Sequence, residues 1–246
     1  MRTIRLILEY DGTAYCGWQR QENGLSIQQV LEECIGRMTG EQIRVIGSGR
    51  TDAGVHALYQ AAHFRTESRL GERNLLLGIN SLLPADICVR EVREEEPSFH
   101  ARYDVKSKTY LYRICNRPVR SALERNRAWF VREPLDLARI AETLPLFKGT
   151  RNFTSFCSVH AEGRDRIRTL LDIGVKGDPG GMIEIFMEAD GFLRYMVRTI
   201  VGMLVDVGRG KRSPEEVAAI LAARDRRRAG PTAPPHGLFL KDVKYR

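Results

Sequence analysis

The sequence predicts an α+β protein made of two ferredoxin-like (βαββαβ) halves with antiparallel sheets, in a pseudo-two-fold arrangement with a central cleft. Three observations carry this prediction. Strand-like and helix-like stretches alternate as βαββαβ over residues 3–93, which is the split βαβ order. The same order recurs over residues 108–244 once a short helix and the loops are set aside, although no repeat is visible in the residues themselves. An acidic break, Glu94-Glu95-Glu96-Pro97, separates the two runs, giving halves at 1–104 and 105–246 with 98–104 as a connector.

Residues 3–9 run apolar as a strand and stop at the turn signal Asp11-Gly12. A polar, aromatic loop with Trp18 follows at 15–21. Ser26 and Gln29 have capping-box spacing ahead of a helix in which Ile27, Val30, Leu31, Cys34, Ile35 and Met38 form one stripe, closed by Gly40. Strands are predicted at 42–46, 58–66 and 87–93, with a helix at 72–83 ended by Pro84. In the second half, 108–116 alternates as a strand with Tyr110 and Tyr112 on one face, and 117–132 is basic and irregular. A helix is predicted at 135–147, limited by Pro145. Strands at 168–176 and 182–189 are joined by a Gly- and Pro-containing turn. A helix at 192–207, a short helix at 214–223 and a strand at 238–244 complete the chain.

The 246 residues are 43% hydrophobic, enough for a sizeable core, and carry 39 Lys and Arg against 31 Asp and Glu, a net charge of +8. That excess, most of it Arg, favours a polyanionic partner such as nucleic acid. The five cysteines (Cys16, Cys34, Cys88, Cys115, Cys157) include no Cys-x-x-Cys pair, so neither a zinc site nor a disulfide framework is indicated. His56, His63, His100, His160 and His236 are scattered and give no metal-ligand spacing. No metal and no cofactor is therefore expected. No stretch approaches membrane-spanning length and no signal-peptide pattern is present, so the expected setting is cytoplasmic with no membrane partner.

The stretch 47–57 reads Gly-Ser-Gly-Arg-Thr-Asp-Ala-Gly-Val-His-Ala, with three glycines within eight residues. There the backbone must bend or be closely approached. The third glycine lies too late for a dinucleotide fingerprint, and no Lys-Ser/Thr pair follows as a phosphate loop requires. Two readings of Asp52 stay open on the residues alone. One is a turn carboxylate bonding nearby amides. The other is a nucleophile or base kept ionised by a cation such as Arg50.

Gly49-Arg50-Thr51-Asp52-Ala53-Gly54-Val55-His56-Ala57 resembles the signature of the tRNA pseudouridine synthase A family. The likeness continues in order along the chain. It takes in Tyr10-Asp11-Gly12-Thr13 through Gly17-Trp18-Gln19-Arg20-Gln21, then Asn80-Ser81-Leu82-Leu83-Pro84, Ser98-Phe99-His100-Ala101-Arg102 and Lys108-Thr109-Tyr110-Leu111-Tyr112. Asn152-Phe153-Thr154-Ser155-Phe156, Gly191 to Arg198 and Pro231-Thr232-Ala233-Pro234 complete it.

This resemblance implies an isomerase that converts uridine to pseudouridine at positions 38, 39 and 40 of the tRNA anticodon arm. It also implies a homodimer and an active-site cleft between ferredoxin-like halves. Asp52 matches the catalytic aspartate and Tyr110 the tyrosine that stacks on the target base. Arg50 matches the arginine near the flipped nucleotide, and Arg198 the basic residue that pairs with the aspartate. One departure is visible: Arg151-Asn152 stands where His-Asp often precedes Phe-Thr-Ser-Phe. Isomerisation breaks N1–C1′ and rejoins the base through C5, which needs no electron carrier, metal or nucleotide energy. Arg164, Arg166, Arg168 and the run Arg224 to Arg228 are candidate phosphate contacts. Arms at 117–132 and 158–168 are the candidates for reaching three adjacent nucleotides. A catalytically silent RNA-binding module would lack Asp52 or Tyr110, and both are present.

Overall fold

The computed structural model describes residues 1–158 and 165–245. It forms two compact units, Met1–Lys106 with Phe239–Arg246, and Ser107–Leu238. His160 and Arg164, and most of the arm expected at 158–168, lie outside the described residues.

In the first unit β1 (Arg2–Tyr10), α1 (Ile27–Thr39), β2 (Ile46–Gly47), β3 (His56–Thr66), α2 (Glu72–Leu82) and β4 (Ile87–Glu95) follow in the order read from the sequence. β1 lies between β3 and β4, antiparallel to both, with Ile7 opposite Ala61 on one side and Glu91 on the other. Ile4, Leu6 and Leu8 on one face of β1 are completely buried. Ser26 Oγ caps α1 by accepting from the Gln29 N–H (3.2 Å). The other half of the expected capping box is missing, because the Gln29 amide reaches forward to Glu33 instead (2.9 Å).

The strand expected at 42–46 shrinks to the two residues of β2, and its neighbours show why. Val45 N–H donates to Glu32 Oε1 (3.1 Å) and Val45 O accepts from Gln28 Nε2 (3.0 Å), so α1 side chains take the groups that a ladder would use. The expected acidic break is also revised. β4 runs on through Glu94 and Glu95, because Arg2 and Arg5 on β1 meet those carboxylates at 2.7 and 3.2 Å.

A second correction concerns β10 (Leu238–Tyr245), expected to close the second half. It runs parallel to β3, with Phe239 beside His56 and Leu240 beside Ala57. β2 covers β3 only at Ala62 and His63, which leaves this end of the strand's second edge for the apolar start of β10. Phe239 stacks on His56 with ring centres 4.7 Å apart. The closing strand thus groups with the first unit, and the expected 104/105 boundary falls at 106/107. The first unit's sheet is mixed, not purely antiparallel.

The second unit contains β5 (Val105–Asn116) from Ser107 onward, β6 (Trp129–Val131), α3 (Leu137–Thr143), β7 (Gly149–Asn152), β8 (Ile167–Gly177), β9 (Met182–Ala189), α4 (Met196–Gly208) and α5 (Pro214–Ala223). Its strands β5-β9-β8-β7 are antiparallel, while β6 runs parallel to β5. β6 falls within the stretch expected to be irregular. β7 escapes sequence reading because Gly-Thr-Arg-Asn has no apolar alternation; among the described residues it pairs with β8 alone. The helix expected at 135–147 is shorter. Leu135 N–H is taken by Asn116 Oδ1 (3.1 Å), Asp136 caps α3, and the segment through Pro145 tightens into a 3₁₀ turn.

α4 begins four residues later than expected. Tyr195 at its N-cap has φ 67°, and a bulky residue in the left-handed region cannot continue a helix. Within α4 only Arg198 and Asp206 are less than fully buried, so it is the unit's internal helix and not a one-sided surface helix.

The connector 98–104 packs onto β3 through His63. Ala101 N–H donates to His63 Nδ1 (3.1 Å), His100 lies edge-on to the ring, and Tyr245 Oη donates to Ala101 O (2.7 Å). Burial and the neighbouring His100 push the His63 pKa down from 6.5 to about 4. The unfolded chain therefore binds a proton that the folded one refuses, so folding stability should fall as pH drops from 6.5 to about 4. Urea denaturation across that window should show the decline, and His63→Gln should flatten it. An unchanged slope in the variant would contradict the assignment.

Candidate active site

The Gly47–Ala57 stretch joins β2 to β3, and the preceding aromatic loop braces it. Gly17 and Asp52 form an antiparallel bridge, Trp18 N–H donates to Thr51 O (3.1 Å) and Gly54 N–H to Tyr15 O (3.4 Å). Asp52 and Val55 close a turn (Val55 N–H to Asp52 O, 3.1 Å) with Gly54 at φ 76°, the left-handed position such a turn reserves for glycine. Gly17 has φ 108°, and a Cβ placed on it would stand 2.6 Å from Thr51 O. Buried Trp18 lies flat against Gly47, where a Cβ would meet the indole at 2.5 Å. The glycines are therefore required by a bend at Gly54 and by close approach at Gly17 and Gly47.

Beneath this turn the hydroxyls of Tyr10 and Thr51 share a hydrogen bond of 2.8 Å, and burial pushes the Tyr10 pKa up, keeping the phenol protonated. Ser48 Oγ donates to Gln60 Oε1 (2.6 Å), and Gln60 Nε2 donates to Gly49 O (3.0 Å). Asp52 is half-buried above these contacts, with Thr51 buried and Ala53 exposed on either side. The first structural consequence is a carboxylate whose backbone is fixed on both flanks. Arg50 is exposed on the same stretch, and its Nε donates to Gln19 Oε1 (3.0 Å). The structure thus puts the two sequence candidates of the first unit on one braced loop.

Tyr110 and Arg198 belong to the second unit. Tyr110 lies on β5 opposite Met187, is buried to 8% exposure, and meets Phe192 edge-on at 5.0 Å. Arg198, on the first turns of α4, donates from Nε to Ala233 O (2.7 Å), and Ala233 N–H returns a bond to Arg198 O (3.0 Å). Pro234 O accepts from Tyr112 Oη (2.8 Å), and Thr232 Oγ1 from Arg226 Nη2 (2.8 Å). The Pro231-Thr232-Ala233-Pro234 motif therefore acts as a clamp on Arg198 and β5. Residues 192–195 carry a ring toward each candidate: Phe192 to Tyr110, and Tyr195 with its ring centre 5.0 Å from the Arg198 guanidinium carbon and equally far from that of Arg194.

Sequence reading missed Tyr195, whose positive φ has no signal in its residue type, and it missed Gln19, Gln28 and Glu32. A signal for the last two existed, since both interrupt the apolar side of α1 yet lie buried beside Leu31 and Ile35. At the one departure from the expected pattern, Asn152 Oδ1 accepts from Thr154 N–H (3.0 Å) and Thr154 Oγ1 (2.6 Å), an acceptor role that Asp would fill equally. Among the described residues no group of three or more His, Cys, Asp or Glu could hold a metal ion, and no helix is long and apolar enough to cross a membrane.

A family model described as tRNA pseudouridine synthase matches residues 6–104 and 144–246. The chain belongs to that family. Curated members named tRNA pseudouridine synthase A match it end to end, covering 100% of both chains. They include those of Geobacter sulfurreducens (46% identical), Pelobacter propionicus (45%) and Thermoanaerobacter sp. strain X514 (42%). The tRNA pseudouridine synthase match spans Arg50, Asp52 and Arg198, and Tyr110 falls in the interval between its two segments, which the full-length relatives cover.

The bracing of Asp52 has a direct test in stability. Gly17→Ala adds left-handed strain to a backbone clash and should cost about 2–4 kcal/mol. Gly40→Ala, at φ 73° with nothing within 4 Å, meets left-handed strain without a clash and should cost about 1 kcal/mol. Urea denaturation of both variants checks this, and equal costs would contradict the close approach at Gly17.

Proposed function

We propose that this protein isomerises uridine to pseudouridine at positions 38, 39 and 40 of the tRNA anticodon stem-loop, with Asp52 as the reacting carboxylate and without a cofactor. The observation that carries this reading is the end-to-end match to proteins named tRNA pseudouridine synthase A, in a chain whose Gly-Arg-Thr-Asp-Ala-Gly segment forms a braced, half-buried turn. The activity is that of an isomerase acting inside one nucleotide. The reading brings with it two ferredoxin-like halves, one carrying the Asp52 loop and the other Tyr110, and a homodimer in a cytoplasmic setting. The strand order β4-β1-β3-β2 of the first unit supports the first of these.

The chemistry sets clear demands. The N1–C1′ bond must break, the uracil must turn, and C5 must bond to C1′. A carboxylate serves by adding to C6, by adding to C1′, or by taking a proton at C2′, and each route needs Asp52 ionised and rigidly presented. A uridine in a stem must leave its stack to be reached, and an arginine suits the space it vacates. Arg50 is the exposed cation assigned to that part. Tyr110 is assigned to stacking on the extruded base, worth about 1–3 kcal/mol. Arg198, clamped by Ala233, is assigned to substrate binding. The net charge of +8 supports a polyanionic substrate. Of the basic run near 224–228, Arg226 is committed to Ala229 O, Gly230 O and Thr232, and Arg227 pairs with Asp225, which leaves Arg224 and Arg228 as the better phosphate candidates.

Asp52→Asn changes charge at nearly constant shape. It should abolish pseudouridine formation while tRNA binding, measured by filter retention, survives within about threefold, since phosphate contacts dominate affinity. Near-normal conversion by this variant would overturn the assignment of Asp52.

A further inference from the structure

A continuous hydrogen-bonded chain leads from the Arg50 guanidinium into the interior of the first unit. Arg50 Nε donates to Gln19 Oε1 (3.0 Å), and Gln19 Nε2 donates to Gln28 Oε1 (2.8 Å). Gln28 Nε2 donates to Glu32 Oε1 (2.9 Å) and to Val45 O (3.0 Å). Glu32 also accepts from Val45 N–H at Oε1 (3.1 Å) and from Arg20 Nη1 at Oε2 (3.2 Å), while the Arg20 backbone N–H donates to Gln28 Oε1 (2.9 Å). Gln28 and Glu32 are buried, at 7% and 9% exposure.

The direction of every link is fixed by valence. Arginine only donates, so Gln19 must turn its oxygen to Arg50 and its amide nitrogen to Gln28. Gln28 accepts twice and donates twice, so its amide is fully used in one orientation. Flipping either amide would set donor against donor or oxygen against oxygen. The buried Glu32 carboxylate therefore fixes, through two glutamines, an acceptor oxygen for the exposed guanidinium two residues before Asp52.

We propose that Gln19 and Gln28 are positioning residues that act through Arg50, ordering its guanidinium before substrate arrives; this rests on the tRNA pseudouridine synthase reading above. A long exposed side chain that must be ordered during the reaction charges that entropy to the step in which it acts, and a pre-set one does not. The network's other task, tethering Val45 to α1, is done by Gln28 and Glu32 without Gln19. Gln19 is exposed, so it is the link that can be cut without disturbing the core.

The test is single-turnover pseudouridine formation with enzyme in excess, for Gln19→Ala, Arg50→Ala and the double variant, with Asp52→Asn alongside. Gln19→Ala should slow turnover between about 10- and 100-fold, with wild-type Tm and tRNA affinity. Added to Arg50→Ala, it should change the rate by less than about twofold, because the residue it positions is gone. An unchanged rate in Gln19→Ala, a loss of affinity or Tm in place of rate, or multiplicative effects in the double variant would each overturn the inference. An inactive Asp52→Asn in the same series keeps the function reading standing when that happens. Wild-type turnover by Arg50→Ala would remove the arginine's role and the inference with it.

Discussion

The antiparallel bridge between Gly17 and Asp52 is the contact on which the candidate site depends. A carboxylate on an isolated turn wanders with its loop, and a wandering nucleophile forfeits most of the benefit of proximity. Here the chain leaving β1 folds back along the segment that enters β3, and backbone hydrogen bonds at Trp18–Thr51 and Gly54–Tyr15 lock the two together. The lock exists because Gly17 tolerates a left-handed backbone at van der Waals contact with Thr51, and because Trp18 drives a buried indole against Gly47. Tyr10, at the end of β1, seals the underside through the Thr51 hydroxyl. The N-terminal aromatic motif and the Gly-Arg-Thr-Asp-Ala-Gly motif are thus one structural object, separated in sequence by an intervening helix.

The second unit solves a similar problem with strain and a clamp. α4 is buried almost all round, so a charged residue on it needs a dedicated partner, and Arg198 donates to the Ala233 carbonyl. Tyr195 takes a backbone conformation that costs on the order of 1–3 kcal/mol for a non-glycine residue. In return its ring lies beside two guanidinium groups just before the helix starts. Such outliers persist where the surroundings over-determine them, here the backbone bonds on either side of Tyr195, from Met196 N–H to Leu193 O (3.0 Å) and from Ser158 N–H to Arg194 O (2.9 Å).

Much of this was legible in the residues, and the misses have physical causes. The apolar stripe of α1, the apolar run of β1 and the Gly40 stop correspond to elements in the structure because local periodicity decides them. The strand at 42–46 failed because buried side chains of α1 captured Val45, a tertiary event with no local signature. Arg2 and Arg5 drew Glu94 and Glu95 into β4, so a charge run that reads as a linker became cross-strand pairs. β10 joined the first unit because β2 leaves part of β3 uncovered, which no reading of residues 238–245 could reveal. At the site, residue types identified Asp52 as one of two things only. Recognition of the ordered motifs favoured the catalytic one, and the geometry supplied the bracing that makes it chemically sensible.

Cofactor-independent isomerisation of uridine on tRNA is the activity proposed for this chain. Its most direct test is incubation of the purified wild-type protein with an unmodified tRNA transcript and no added cofactor, followed by carbodiimide-dependent primer extension. New stops are expected for uridines at positions 38–40 of the anticodon arm and nowhere else. A transcript that stays unmodified, or stops confined to other regions of the tRNA, would contradict it.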